Sequence, residues 1–191
     1  LSIRRQRQMC IRDSLKTEAF LHYKIELNRT HGITPQNEII WSYNWGGRSD
    51  KNFARKHEYA WCYSKGDKFL FNADDVRVER KVSKNLRTGQ NYTKGTIPTC
   101  VWEKNNHTTS KDYCGWHATT KNLDILQRII KAYTNENDLV LDCFMGSGST
   151  AIASKLSNRD YIGCERDKEY HTRLIDRVNS YDRINTLSAI L

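Results

Sequence analysis

Residues 138–165 read DLVLDCFMGSGSTAIASKLSNRDYIGCE, and the rest of the chain is organised around them. A short apolar run, Leu139-Val140-Leu141, ends in Asp142 and breaks into a turn holding Gly146, Ser147 and Gly148. Helical spacing follows from about Ser149 to Leu156, and a second short strand, Tyr161 to Cys164, ends in Glu165. Strand, Gly-rich turn, helix, strand and acid is the layout of a nucleotide-type cofactor site. Gly146 and Gly148 allow backbone conformations that a Cβ would forbid and let a ligand approach the main chain. A carboxylate at the end of the second strand, as at Glu165, can accept both ribose hydroxyl protons of an adenosine.

The glycines run G-S-G, which is neither the dinucleotide G-x-G-x-x-G nor a phosphate-binding loop with its G-K-[ST]. No Lys or Arg falls between Asp142 and Thr150, which suits a ligand carrying adenosine but no phosphate. The nine residues D-C-F-M-G-S-G-S-T, Asp142 to Thr150, resemble the D-P-F-x-G-S-G-T-T motif of the amino-methylating DNA methyltransferases. That resemblance implies S-adenosylmethionine as cofactor, with Asp142, Phe144, Gly146, Ser147 and Gly148 in its turn and Glu165 on its ribose. Without the whole string, a βαβ unit whose glycines only make a tight turn would explain the residues equally well.

Composition agrees with an ordinary globular domain. The chain has 191 residues, 38% hydrophobic and 28% charged, enough for one sizeable core with a polar surface. No apolar run approaches the roughly 18 residues a membrane span requires. A net charge of +9 suits a polyanionic partner, of which nucleic acid is the commonest. Cysteines at 10, 62, 100, 114, 143 and 164 form no C-x-x-C pair. They read as reduced, mostly buried thiols of a cytoplasmic protein.

The first 14 residues, LSIRRQRQMCIRDS, carry four arginines, no initiating Met and no apolar core like that of a signal peptide. They resemble translated read-through of a sequencing adapter and are expected to be foreign to the fold, a natural phosphate-gripping arm being the alternative. Thr17 to Asn28 reads as an amphipathic helix, HGITPQ as a loop, and Glu38 to Tyr43 as a strand. Tyr59 to Tyr63 and Lys68 to Phe71 read as further strands.

The segment from Asn44 to Asn72, with its G-G-R-S, F-A-R-K-H and Y-S-K runs, also resembles those methyltransferases, where it follows the catalytic strand. Its loop cations Arg48, Lys51, Arg55 and Lys56 could grip phosphates, although a solvated charged loop explains them as well. Tyr43 and Trp45 could stack on a base but suit a core better. From about residue 74 to 115 periodicity is lost except at Val76-Arg77-Val78-Glu79-Arg80. The resemblance makes this stretch a basic target-recognition insertion, with Arg77, Arg80, Lys81, Lys84, Arg87 and Lys94 facing DNA. Cys100, His107, Cys114 and His117 are zinc-capable residue types. They lack a tight knuckle, and no metal site is expected.

His117 to Leu123, HATTKNL, resembles the family's Y-P-T-Q-K-P-L motif, which helps hold the methionine end of the cofactor. Thr119 and Lys121 match it, and Ala118 and Asn122 stand where it has prolines. A hydroxyl and an ammonium there could pair with the cofactor's carboxylate. A helix is expected over Leu123 to Tyr133, with Asn122 as its cap, and another over Asp167 to Tyr181.

The family's D/N/S-P-P-Y/F/W motif, which receives the target amine, cannot be present: the only prolines are Pro35 and Pro98. The order of the remaining motifs resembles the permuted class, in which the catalytic motif comes first. It would then lie upstream of Leu15, in a part the chain has lost.

The expected fold is α/β, a Rossmann-like methyltransferase sheet with helices on both faces. The expected substrate is an exocyclic amine in double-stranded DNA, adenine N6 before cytosine N4. A restriction-modification companion stays open. A non-catalytic DNA-binding module with a vestigial cofactor fold, and an RNA or small-molecule methyltransferase, remain as alternatives.

Overall fold

In the computed structural model, residues 8–13, 25–26, 29–44, 48–66, 68–80, 84, 87–91, 93–104 and 112–188 are described. The chain divides into two compact units, Leu1–Asn105 and Asn106–Leu191.

The first unit is built on a four-stranded sheet in the order β1-β3-β2-β4, with β1 at Gln8–Asp13, β2 at Ile33–Ser42, β3 at His57–Lys65 and β4 at Val101–Glu103. β2 and β3 pair antiparallel, whereas β4 joins β2 in parallel over Ile40 to Ser42. Alternation puts Ile39 and Trp41 of β2 on one face, at 2% and 5% exposure, with Cys62 of β3 and Trp102 of β4, while Tyr63, the next residue of β3, is buried on the other face with Ile33 and Trp61. Each buried indole keeps its N–H satisfied, Trp41 Nε1 by the Lys104 carbonyl at 3.2 Å and Trp102 Nε1 by that of Thr99 at 2.6 Å.

Several expectations change here. The run read as a loop, HGITPQ, supplies the start of β2, which begins at Ile33. Pro35 is accommodated because the register slips between Pro35 and Asn37, and because β4 reaches only Ile40–Ser42, so no ladder bond is asked of its missing N–H. The segment set aside as foreign, in turn, contains β1, which pairs antiparallel with β3 from Gln8↔Ser64 to Asp13↔Tyr59. Pairing at a sheet edge is made by main-chain groups and demands little of the side chains.

Lys68 to Phe71 is not a strand. The alternating run at Val76 becomes a 3-10 turn, Asp74–Val76, followed by a bridge in which Val78 and Thr96 exchange two bonds of 2.9 Å. Of the helix read over Thr17 to Asn28, only Ile25 and Glu26 lie among the described residues, and both are helical.

The second unit has the expected elements, although its last helix runs to Ser188, beyond the expected end at Tyr181. Its elements are α1 (Leu123–Tyr133), β5 (Leu139–Asp142), α2 (Ser149–Lys155), β6 (Asp160–Gly163) and α3 (Lys168–Ser188). Asn122 caps α1 by accepting the Ile125 N–H at 3.3 Å. β5 and β6 pair in parallel from Leu139↔Asp160 to Asp142↔Gly163, with α2 as the crossover, which makes a βαβ unit.

Ala151, Ile152 and Ala153 of α2 are fully buried against Leu123 and Ile130 of α1, Leu174 and Val178 of α3, and the half-buried Val140 of β5. Leu139, Leu141 and Ile162 share the opposite face and are 63%, 64% and 54% exposed. Among the described residues of this unit, therefore, helices cover one face of the strand pair.

Candidate cofactor site

The site is a turn between β5 and α2 that a strand-end acid locks in place. Asp142 ends β5 and folds its side chain back, Oδ1 accepting the Phe144 N–H at 2.9 Å. Met145 N–H reaches across to the Cys164 carbonyl at 3.0 Å, which ties the turn to the end of β6. The chain then passes through two left-handed residues, Gly146 at φ 51° and Gly148 at φ 75°. Space is short at both, and shortest at Gly146. A Cβ on Gly146 would stand 2.8 Å from His117 Nε2, and one on Gly148 would stand 3.1 Å from Val178 Cγ2.

Glu165 closes the arrangement. Its Oε2 accepts the Gly146 N–H at 2.8 Å and its Oε1 the Asp167 N–H at 3.0 Å. The Asp167 amide chiefly holds this carboxyl below the usual glutamate range. The Gly146 and Arg166 amides add to the effect, and together they outweigh a desolvation that acts the other way. An ionised carboxylate accepts at about four lone-pair positions, so two backbone bonds leave room for ribose hydroxyls. The cradle therefore fits an adenosine: a glycine turn with no room for a Cβ, beside a carboxylate with acceptor capacity left.

The expected residues divide into groups. Gly146 and Glu165 are joined directly. Phe144 is 89% exposed at the turn, available to a ligand. Ser147 points inward: its Oγ lies 2.9 Å from Ser149 Oγ, and the residue is 4% exposed, so it can offer a ligand only main-chain groups. Thr119 reaches the turn through His117. Thr119 Oγ1 lies 3.5 Å from His117 Nδ1, and the Lys121 ammonium is withdrawn from solvent.

His117, Tyr170 and Arg177 carry more of the site than their sequence showed. His117 packs edge-on to Tyr170 of α3, ring centroids 4.9 Å apart, as well as on Gly146. Arg177 of α3 donates to the Ser147 carbonyl at 2.7 Å, to Ser149 Oγ at 3.2 Å and to the Asp112 carbonyl at 2.7 Å. The resemblance had pointed to His117 only as the first position of its motif, and nothing marked Arg177 among the polar residues of an amphipathic helix.

Among the residues weighed as zinc ligands, Cys114 Sγ is 3.0 Å from Thr120 Oγ1, His117 serves the turn, and His107 lies outside the described residues. The expectation of mostly buried thiols is corrected. Cys62 is buried, but Cys100, Cys143 and Cys164 are exposed. The last two stand at the open ends of β5 and β6, where packing stops.

In the first unit the loop between β2 and β3 leaves Arg48, Lys51 and Arg55 exposed and Lys56 half-buried. Lys56 Nζ donates to the Asn44 carbonyl at 3.1 Å. Tyr43 packs edge-on against Trp41, and burial raises its phenol. Trp45 and Lys81 lie outside the described residues. Arg77 bonds to Asp74 Oδ1 at 2.6 Å and the Gly95 carbonyl at 2.9 Å, and Arg80 to the Lys94 carbonyl at 3.2 Å. Part of the donor capacity of these two arginines thus holds their own segment together. Lys84, Arg87 and Lys94 are exposed. No helix among the described residues is long and apolar enough to cross a membrane.

A parallel βαβ unit with a glycine turn locked by a strand-end acid defines an α/β protein of the adenosine-cofactor class. The chain belongs to the DNA methylase family of N6 and N4 methyltransferases, whose model matches residues 7–176.

Among curated proteins it is 35% identical over 157 residues to the Type II methyltransferase M1.MboII of Moraxella bovis, covering 73% of this chain and 60% of that protein. It is 30% identical over 177 residues to the DNA adenine methyltransferase YhdJ of Escherichia coli K12, covering 88% of this chain and 59% of that one. Among solved structures, the M1.HpyAVI–SAM complex superposes with a TM-score of 0.62 at 26% identity, over 89% of this chain and 73% of that one. The cytosine-N4-specific PvuII DNA methyltransferase shares the fold at a TM-score of 0.66 and 16% identity, over 94% of this chain and 68% of that one. The chain thus spans about three-fifths of the length of these two curated relatives.

Proposed function

We propose that this chain is the cofactor-binding and DNA-facing part of a site-specific DNA methyltransferase. It would use S-adenosylmethionine to methylate an exocyclic amine in double-stranded DNA, adenine N6 in preference to cytosine N4, in the cytoplasm. The observation that carries the reading is the bond from Gly146 N–H to Glu165 Oε2, which holds a strand-end carboxylate against a side-chain-free turn. When bound, S-adenosylmethionine supplies an electrophilic methyl group on its sulfonium. Glu165 accepts from the ribose hydroxyls, and Phe144 offers an apolar wall for the adenine. Thr119 and Lys121 take the methionine carboxylate. Relatives named as DNA adenine and Type II methyltransferases support the substrate class.

A thermal melt with and without S-adenosylmethionine tests this reading. A ligand-induced rise in Tm that Glu165→Ala abolishes is expected. A cooperative melt with no shift in the unaltered chain sinks it.

One observation favours a narrower reading for these 191 residues taken alone. Their two prolines cannot form the family's D-P-P-Y motif. We therefore propose a permuted enzyme whose catalytic motif lies outside Leu1 to Leu191. The chain alone then binds the cofactor and transfers no methyl group. Methyl transfer to DNA above a no-protein control would refute that.

A further inference from the structure

The loop between β2 and β3 carries the most exposed large apolar side chain among the described residues, Phe53, at 103%. A lone exposed aromatic is common on protein surfaces, so exposure alone decides nothing. The surroundings of Phe53 are what matter. Residues 48–56 hold four cations, Arg48, Lys51, Arg55 and Lys56, against one carboxylate, Asp50. Three of the four cations are exposed.

Residues 48–56 are also folded rather than loosely spanned. Asn52 N–H donates to Ser49 Oγ at 3.2 Å while that hydroxyl donates to Asn52 Oδ1 at 2.6 Å. The loop's base is closed by Tyr43 N–H to the Lys56 carbonyl at 3.1 Å and Lys56 Nζ to the Asn44 carbonyl at 3.1 Å. Arg55 is steadied over the Tyr59 ring, 5.6 Å from its centroid.

We infer that Phe53 is a base-stacking residue, presented to DNA by a loop whose cations Arg48, Lys51 and Arg55 take the flanking phosphates. A protein partner that buried Phe53 would also have to desolvate this ring of like charges. Duplex DNA satisfies both features at once, its phosphates meeting the cations and a base swung out of the stack meeting the ring. Every base has a π-face, so stacking on a phenyl ring contributes affinity without selecting a sequence. Phe53 thus deepens the DNA-facing role proposed above and rests on it, and it leaves base choice to other residues.

The test is equilibrium binding of the full chain to a fluorescein-labelled duplex DNA over a range of salt, with Phe53→Ala, Phe53→Trp and Arg48→Gln. Phe53→Ala should weaken Kd by about tenfold, the order expected for one lost base stack. It should leave the slope of log Kd against log salt unchanged, and Phe53→Trp should keep the affinity. Arg48→Gln should instead lower that slope by about one. If the unaltered chain binds DNA and Phe53→Ala binds equally well, the inference falls alone. If the unaltered chain does not bind, the DNA reading falls and takes the inference with it. A Phe53→Ala chain that melts at a lower temperature would show the ring packing within the protein, which also overturns the proposal.

Discussion

The imidazole of His117 lies on Gly146, so that a Cβ at the glycine would come 2.8 Å from Nε2 and 3.0 Å from Cε1. One contact joins the two motif blocks of the second unit, His117 to Leu123 and Asp142 to Thr150. The same glycine gives its N–H to Glu165 Oε2 at 2.8 Å. Gly146 is therefore held from two sides, by a ring against its α-carbon and a carboxylate on its nitrogen.

Gly146→Ala should damage the site in two separable ways. The left-handed φ of 51° costs an alanine about 1 kcal/mol, whatever surrounds it. The new methyl also collides with His117. A double-mutant cycle with His117→Ala should recover the collision and leave the backbone cost, a coupling of about 0.5–3 kcal/mol in urea melts. Equal destabilisation in both backgrounds would remove His117 from this role.

The depressed pKa of Glu165 makes the turn sensitive to acid. A carboxyl whose folded value lies below its unfolded value stabilises the fold fully above the ordinary glutamate range, near 4.3. That contribution is lost as pH falls through the lowered folded value. Urea midpoints followed from pH 7 downward should thus fall more steeply below pH ~4.3 for the native chain than for Glu165→Gln. Parallel curves would mean that the amides of Asp167 and Gly146 do not favour the charged form.

How much of this was legible in the sequence depended on whether structure was encoded locally. The βαβ unit was readable because each part has its own short-range cause: an apolar run for β5, glycines for left-handed backbone, and Asn122 capping α1. The boundaries of α1 and β5 agree with the reading to the residue. Sheet-edge pairing has no such local cause. Gln8–Asp13 joins β3 through main-chain bonds, so its odd composition said little about whether it would pair. Pro35 argued for a loop until the bulge and the short reach of β4 removed the need for its N–H. Clamps made across long separations, such as Arg177 to Asp112, leave no spacing for a sequence to show.

Arg177 should be hard to replace. Its guanidinium bonds to the carbonyls of Ser147 and Asp112 and to Ser149 Oγ, which pins the cofactor turn to α3 and to the segment before His117. Arg177→Met keeps the apolar stem and removes the donors, leaving the buried acceptors near Ser147 unpaired. A loss of about 1.5–3 kcal/mol is expected in urea melts. Arg177→Lys should recover only part of it, since a single ammonium cannot reproduce the planar fork. Full recovery by lysine would show that charge alone matters there.

Ile152 separates damage to the core from damage to the site. Its side chain is completely buried at the centre of α2, among residues of α1, α3 and β5. Ile152→Ala should cost about 2–5 kcal/mol by lost burial and the cavity left behind, and Ile152→Val about 0.5–1.5 kcal/mol. The residue sits a full turn beyond Gly148, and its N–H bonds to the Gly148 carbonyl at 3.1 Å through the backbone, which a side-chain truncation leaves in place. Both variants should therefore melt lower yet keep the upward shift in Tm that S-adenosylmethionine gives the native chain. Gly146→Ala should lose that shift. If Ile152→Val, the milder variant, lost the ligand-induced shift as completely as Gly146→Ala, the turn would be held by the packing of α2 rather than by His117 and Glu165.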